Sequence, residues 1–188
     1  MQQKPSIVSA LVEDRPDLLS QAVALLRRRN FDARSVTVGK TDEPHVARLT
    51  VTLKDGETSE AARLAREMGR LLYVLSVQNL TGEPSVHREL ALIKVRSGAD
   101  QRAQVAQLCE VFRARIVDVA QDTVIVETTG DGEKIAGFLE VLRPFGIVEM
   151  ARTGTVALGR ADRALDTADA PDSTWVERQK AMEARHAC

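Results

Sequence analysis

The order of short periodic segments constrains this chain more than any single motif. Stretches with helical spacing stand between short apolar or alternating stretches typical of strands, and the order strand, helix, strand, strand, helix, strand occurs twice. Two helices on one face of a four-stranded antiparallel sheet satisfy this order, which is the ferredoxin-like arrangement. We therefore predict an α+β chain of two βαββαβ domains, 1–81 and 82–158, followed by a polar tail, 159–188, that is disordered or partly helical.

Local signals support the first domain. Residues 7–12 form an apolar run typical of a strand buried on both faces, and the helical stripe that follows ends in three arginines and an asparagine cap at 27–30. Turn residues at 41–44 predict a hairpin between strands 34–40 and 46–54. Because 46–54 alternates apolar and polar residues, we expect one of its faces to be solvent-exposed and open to a partner.

The second domain repeats the order after a turn at 81–84. Its first helix carries Cys109 on the apolar stripe, which predicts a small core residue with a free thiol. Gly130 and Gly132 are interpreted as a turn before the last helix. The predicted strands are 89–95, 115–119, 123–128 and 147–152, and the helical stripes are Val105, Leu108, Cys109 and Phe112, then Ile135, Phe138, Leu139 and Leu142.

Composition and motifs exclude several classes of function. The 26 basic and 27 acidic residues give a net charge of −1, so nucleic acid and anionic membranes are not expected partners. The apolar runs are too short to span a membrane and the start lacks the pattern of a secretory signal, so we expect a cytoplasmic protein. The two cysteines and three histidines lack metal-site spacing, and no nucleotide, hydrolase or zinc-protease motif is present. We predict no metal site and no catalytic residues.

The turn between the first strand and the first helix is the candidate binding site. A helix N-terminus presents free backbone N–H groups, which suit a small anion such as an amino acid carboxylate. Here Asp14 and Asp17 lie in the turn and Asp32 begins the next strand. We expect Asp14 to be the helix N-cap and Asp17 to lie in the first turn, so that the site is filled by its own side chains.

A series of sequence segments, ordered along both halves of the chain, resembles a known family over about residues 6–160. In the first half they are Glu13, Leu19-Ser20, an aromatic Phe31 after the arginine-ended helix, 35–38 (SVTV), Thr41-Asp42 and 48–50 (RLT). In the second half they are 86–95 (VHRELALIKV), 112–119 (FRARIVDV), 132–139 (GEKIAGFL) and 146–158 (GIVEMARTGTVAL). With these segments the chain resembles the small, regulatory subunit of acetohydroxyacid synthase (acetolactate synthase), the first common enzyme of branched-chain amino acid biosynthesis.

The resemblance implies an N-terminal ACT domain, which is an amino acid sensor, and a second ACT-like domain. It implies a homodimer whose paired ACT domains bind valine at their interface. It also implies a catalytic large subunit as partner, which carries thiamine diphosphate, FAD and Mg²⁺; none of these cofactors belongs to this chain. Carried onto this sequence, the effector positions are Asp14, Arg15, Pro16, Asp17, Leu18, Asp32 and Ala33.

Three of these positions depart from the family. The family turn has the pattern Glu-Asn-x-x-Gly and a second Asn begins the next strand, whereas this chain has Asp14, Asp17 and Asp32. An Asn amide can donate to a carboxylate but an ionised Asp can only accept, and Asp in place of Gly restricts φ. We therefore predict a weak or absent valine response. In the alternative, the acids hold the ammonium group or a cation while backbone N–H groups hold the carboxylate.

Two other functions compete with this interpretation. The first is a stand-alone tandem ACT sensor that acts on another partner, which would have the same fold. The second is a small enzyme on a ferredoxin-like scaffold, which is disfavoured because the sequence contains no recognisable set of catalytic residues. In the tail, Trp175, Val176 and Met182 are candidates to anchor a short helix on a partner.

Overall fold

The computed structural model describes residues 5–54, 58–161 and 165. Its helices are α1 (Leu18–Arg28), α2 (Thr58–Met68), α3 (Arg102–Phe112) and α4 (Gly132–Leu142). Its strands are β1 (Ser6–Glu13), β2 (Ala33–Lys40), β3 (Val46–Leu53), β4 (Val74–Asn79), β5 (Ser85–Arg96), β6 (Arg115–Val119), β7 (Thr123–Gly130), β8 (Ile147–Arg152) and β9 (Val156–Gly159). The predicted βαββαβ order is therefore present twice and the α+β, ferredoxin-like fold class is confirmed. The predictions for the tail after residue 165 lie outside the described residues.

The chain divides into two compact units. His87–Val156 forms one of them, and the segments before and after it form the other. The first sheet has the strand order β2-β3-β1-β4 and the second has the order β6-β7-β5-β8, with β9 paired to β5 outside that path. Neighbouring strands along both paths are antiparallel. The sheet order places the first and third strands of each repeat in the centre, so that β1 and β3 pair in the first unit and β5 and β7 pair in the second.

The core of the first unit lies between its sheet and its two helices. β1 is buried from Ser6 to Val12, so the prediction of a strand covered on both faces is confirmed. The helix α1 ends as predicted: Asn30 has φ of 55° and Phe31 N–H donates to Leu26 C=O at 2.9 Å. This is a Schellman cap, which satisfies carbonyl groups at the helix end. The core side chains include Val8, Ala10, Val12, Leu25, Leu26, Leu49, Val51 and Leu64.

The expectation of a solvent-exposed face on β3 is wrong. Thr50 and Thr52 lie on that face and are only 2% and 3% exposed. Leu165 packs there against three buried apolar side chains, and Ala157 packs against two more. The alternation of apolar and polar residues in β3 correctly assigns side chains to the two faces of the sheet. It does not indicate which later parts of the chain cover those faces. The covered apolar side chains are Leu11, Val46 and Leu75, then Ile7 and Leu80.

The second unit has its own core between the sheet and the helices α3 and α4. The predicted helical stripes are confirmed, since Val105, Cys109, Ile135 and Phe138 are all buried. The rings of Phe112 and Phe138 lie 4.9 Å apart. Cys109 is a free cysteine, 3% exposed, and its burial raises the pKa of its thiol. It is a packing residue, as its place on the stripe predicts.

Candidate functional site

Two backbone hydrogen bonds fix the turn between β1 and α1. The N–H of Glu13 donates to the carbonyl of Tyr73 at 2.9 Å, and the N–H of Asp14 donates to the carbonyl of His45 at 2.8 Å. These bonds tie the turn to the start of β4 and to the loop that precedes β3. The first turn of α1 is therefore presented at the end of β1 in one fixed orientation.

The expectation that Asp14 caps α1 is wrong. Asp17 occupies the N-cap position, and its side chain makes no capping hydrogen bond. Instead the guanidinium of Arg15 donates to both Asp17 carboxylate oxygens, at 3.1 and 3.2 Å, and the amide of Gln21 donates to one of them. A paired Arg fork satisfies a carboxylate better than a single backbone N–H group, so Asp17 turns towards Arg15 rather than towards the helix start.

The turn keeps a negative charge, because Arg15 stands against the three acids Glu13, Asp14 and Asp17. The hydrogen bond from Arg15 lowers the pKa of Asp17 and the cation offsets its charge. Arg15 also lies 3.8 Å from Glu13. Asp14 is exposed, and its carboxylate has no ion pair or hydrogen bond within the described ranges. An anionic ligand at the start of α1 would therefore meet Asp14 as its principal repulsive group.

The helix start still has donors for an anion. The N–H of Leu18 donates to Arg15 C=O at 3.1 Å and the N–H of Gln21 donates to Asp17 C=O at 3.0 Å. Between them, the N–H groups of Leu19 and Ser20 have no acceptor in the described part of the chain. Such free amides at a helix N-terminus are the groups that bind carboxylates and phosphates.

Tyr73 is a polar residue of this region that the sequence reasoning missed. It is 3% exposed, and its hydroxyl has no hydrogen-bond partner among residues 5–54, 58–161 and 165. Burial, reinforced by the nearby charge of Asp17, raises the pKa of Tyr73. A buried hydroxyl without a partner is costly, so it marks a place where a polar ligand group would be stabilised. The sequence offers one signal that could have drawn attention to Tyr73, namely that it is the only tyrosine in the chain.

Asp32 and Ala33 lie at the opposite end of the sheet from the turn. Ala33 pairs with Leu53, and Leu53 pairs with Ser6 at the start of β1. The turn follows the other end of β1, and the 8 residues of β2 span roughly 24 Å. Asp32 instead forms an ion pair with Lys54 at 2.8 Å. Within one chain the structure therefore brings together Asp14, Arg15, Pro16, Asp17 and Leu18, but not Asp32 or Ala33.

An apolar surface adjoins the turn along α1. Leu19 and Val23, one helical turn apart, are 52% and 49% exposed. With Pro16 and Ala24 they line an open cleft of about 850 Å³ that ends at Arg27 and Arg28. The strand β2 is an edge of the first sheet, and its Val38 is also exposed. Exposed apolar side chains beside a free strand edge are typical of a protein interface.

The described residues form neither a candidate metal centre nor a candidate membrane span. Among them, no group of three or more His, Cys, Asp or Glu side chains is placed to hold a metal ion. None of the helices built from them has the length and apolar character needed to cross a membrane.

Two βαββαβ units, the first with free backbone amides at the start of a helix, define a tandem ACT-type protein of the ferredoxin-like class. The sequence model of the family described as "Small subunit of acetolactate synthase" matches residues 88–161. A "Probable acetolactate synthase small subunit" from Methanothermobacter thermautotrophicus is 39% identical over 166 residues, which cover 88% of this chain and 98% of the relative. The chain therefore belongs to the family of acetolactate synthase small subunits.

Other relatives agree with this assignment. The acetolactate synthase small subunit of Mycobacterium bovis is 38% identical over 168 residues, covering 89% of this chain and 99% of the relative. The crystal structure of the acetolactate synthase small subunit from Thermotoga maritima superimposes with a TM-score of 0.75 at 33% identity, over 85% of this chain and 99% of that one. Both similarities extend over nearly the full length of the relative, so both repeats are included in the match.

Proposed function

We propose that this chain is the non-catalytic regulatory subunit that binds and activates the catalytic large subunit of acetolactate synthase in branched-chain amino acid biosynthesis. The observation that carries the proposal is the match to small subunits over nearly their whole length, at 38–39% identity. The proposed domains are the ACT domain, 1–81, and the ACT-like domain, 82–158. Thiamine diphosphate, FAD and Mg²⁺ would reside on the large subunit.

The proposed subunit acts as a homodimer that joins two ACT domains through β2. This strand is an exposed edge, and the apolar side chains of α1 extend the same surface. Antiparallel pairing of two β2 strands about a twofold axis would continue the sheet and bury Leu19 and Val23 of both copies. An isologous contact of this kind closes on itself and leaves no unpaired edge on that side.

Such a dimer explains why the effector positions are separated within one chain. Antiparallel pairing places the start of one β2 beside the end of the partner's β2. Asp32 and Ala33 of one protomer would then approach the turn that holds Asp14 and Asp17 in the other. The effector site is therefore proposed to be shared, with the helix N-terminus from one protomer and the start of β2 from its partner.

Valine inhibition is proposed to be weak or retuned in this subunit. Asp14 has no compensating cation and lies where an amino acid carboxylate would bind, whereas Asp17 and Asp32 are paired with Arg15 and Lys54. Two charges 4 Å apart repel by about 1 kcal/mol in water and about 4 kcal/mol at an effective dielectric of 20. One unpaired acid thus lowers the affinity for valine about tenfold or more. If a ligand does bind strongly, its ammonium group would face Asp14.

Reconstitution with the native large subunit tests the proposed function. Acetolactate formation from pyruvate should rise when this chain is added to the large subunit, and valine should reduce the rate little. The chain alone should form no acetolactate. Failure to associate with the large subunit, or to change its rate, would contradict the proposal and favour a stand-alone ACT sensor. Turnover by the isolated chain would instead indicate an enzyme.

A further inference from the structure

A second cleft, with a polar lining, lies on the helical side of the first unit, at the other end of α1 from the turn. It occupies about 310 Å³ between the last turn of α1 and the end of α2. The residues that line it are Leu25, Arg28, Arg29, Glu67, Arg70 and Leu71. Three guanidinium groups therefore surround a single carboxylate.

The cleft is held in shape by Glu67. Its carboxylate lies 2.9 Å from Nε of Arg29 and 3.1 Å from Nη1 of Arg70, and its side chain is 16% exposed. Arg63 supports the same wall, since its guanidinium stacks 4.1 Å from the Phe31 ring and donates to the carbonyl of Arg29 at 3.3 Å. Arg29 and Arg70 are thus oriented before any ligand arrives, which lowers the entropic cost of binding.

Helix capping does not account for these cations. Arginines near a helix C-terminus usually offset the partial charge of free carbonyl groups. In α1, however, the carbonyls of Leu25, Leu26 and Arg27 already accept backbone N–H groups from residues 29–31. Arg28 has no ion pair or hydrogen bond within the described ranges, although it lines the cleft. The cleft therefore has spare donors and an excess of positive charge.

We propose that this cleft binds a small, multiply charged anion of the phosphate class. Each Arg presents a planar fork of N–H donors that matches phosphate oxygens, and Glu67 uses only part of the capacity of Arg29 and Arg70. Three guanidinium groups against one carboxylate leave two positive charges uncompensated, and Arg28 carries one of them without an ion pair in the described ranges. A monocarboxylate such as an amino acid satisfies this set less well, because it has fewer acceptor oxygens and less charge. The cleft lies at the other end of α1 from the effector turn, and Arg28 is the residue that it shares with the apolar cleft beside Leu19 and Val23. The proposal does not depend on the proposed role in acetolactate synthesis.

Titration of the full chain with pyrophosphate at low ionic strength tests the proposal. Calorimetry should show saturable binding of one anion per chain, weaker for inorganic phosphate and weakened by added salt. Amide shifts in NMR spectra should concentrate at residues 25–31 and 66–71. Shifts confined to residues 13–21 would overturn the proposal, because the anion would then bind the start of α1. Absence of saturable binding at millimolar pyrophosphate would overturn it as well.

Charge variants distinguish a specific anion-binding site from nonspecific electrostatic attraction. Arg28→Gln should weaken pyrophosphate binding roughly tenfold, the change expected for loss of one charge-assisted hydrogen bond. The control is Arg66→Gln, which removes the same charge from an exposed position of α2 that does not line the cleft. It should alter binding about twofold or less, since exposed charges are well screened. Equal losses in the two variants would overturn the proposal. Within residues 5–54, 58–161 and 165 neither Arg28 nor Arg66 makes a side-chain hydrogen bond or ion pair, so unchanged thermal unfolding temperatures are expected.

Discussion

Substitution of Val23 by Asp tests whether α1 and β2 form the dimer and whether the effector site is shared. Val23 is 49% exposed, so an interface that covers it removes about half of a valine side chain from water, worth about 1 kcal/mol. A twofold interface counts this loss twice, giving about 2 kcal/mol. If the two introduced carboxylates come within about 5 Å of each other across the proposed axis, their repulsion adds about 1 to 3 kcal/mol. The dimer dissociation constant should rise between roughly a hundredfold and several thousandfold.

Sedimentation velocity over a range of protein concentrations measures that change. The matched control is Leu72→Asp, which places the same charge on an exposed apolar residue of the first unit that lies outside α1 and β2; its dimer should be unchanged. Val23→Asp should also abolish any amino acid binding that the chain gains when its three aspartates are replaced, although the residues of the turn stay intact. A Val23→Asp variant that remains dimeric, or that binds an amino acid as a monomer, would refute the shared site.

Three other predictions concern charge and packing. Replacing the three acids together (Asp14→Asn, Asp17→Gly and Asp32→Asn) should raise the affinity for valine at least about tenfold in calorimetric titrations with valine, leucine and isoleucine; no gain would mean that charge is not the obstacle. The carboxyl of Asp17 should titrate below 3.8 by NMR, and Arg15→Gln should move its pKa back towards that value. Because the pKa of Asp17 is lower in the folded state, the stabilisation by this pair is present above about pH 4 and is lost as the pH falls through the folded pKa. The Arg15→Gln variant should therefore lose less stability on acidification than the unmodified protein. An equal loss would show that Arg15 does not cause the lowered pKa of Asp17. Phe138→Ala should lower the free energy of unfolding by about 3 to 5 kcal/mol in denaturant titrations, since the side chain is fully buried in the second core, and a change below about 1 kcal/mol would contradict that packing.

Most of the fold was accessible from local pattern. Helical spacing identified the buried stripes around Val105 and Ile135, and the arginine run with Asn30 identified the end of α1. These features depend on residues within a few positions of each other, so a sequence displays them directly. The first strand of the second repeat was predicted from residue 89 but begins at Ser85, where the alternation is weak.

The features that the sequence did not reveal depend on distant parts of the chain or on one local side-chain pair. The face of β3 looked exposed because Leu165, which covers part of it, lies more than a hundred positions away. Asp14 looked like the N-cap because the pattern gave no sign that Arg15 would hold Asp17 beside the helix start. The separation of Asp32 from the turn follows from the directions of the strands: β1 and β2 both run antiparallel to β3, so β2 begins at the end of the sheet where β1 begins, whereas the turn follows the other end of β1.

The chain returns to the first unit after it has formed the second, and this order affects folding during synthesis. Ala157 packs against Ile7 and Leu80, and the N–H of Arg160 donates to Pro84 C=O at 3.0 Å. The second unit is continuous, whereas the first contains segments on both sides of it. At about 5 to 20 residues per second, a ribosome needs roughly 4 to 14 s for the intervening segment. The unit that begins first is therefore completed last, and until then Ile7 and Leu80 remain uncovered and available to chaperones.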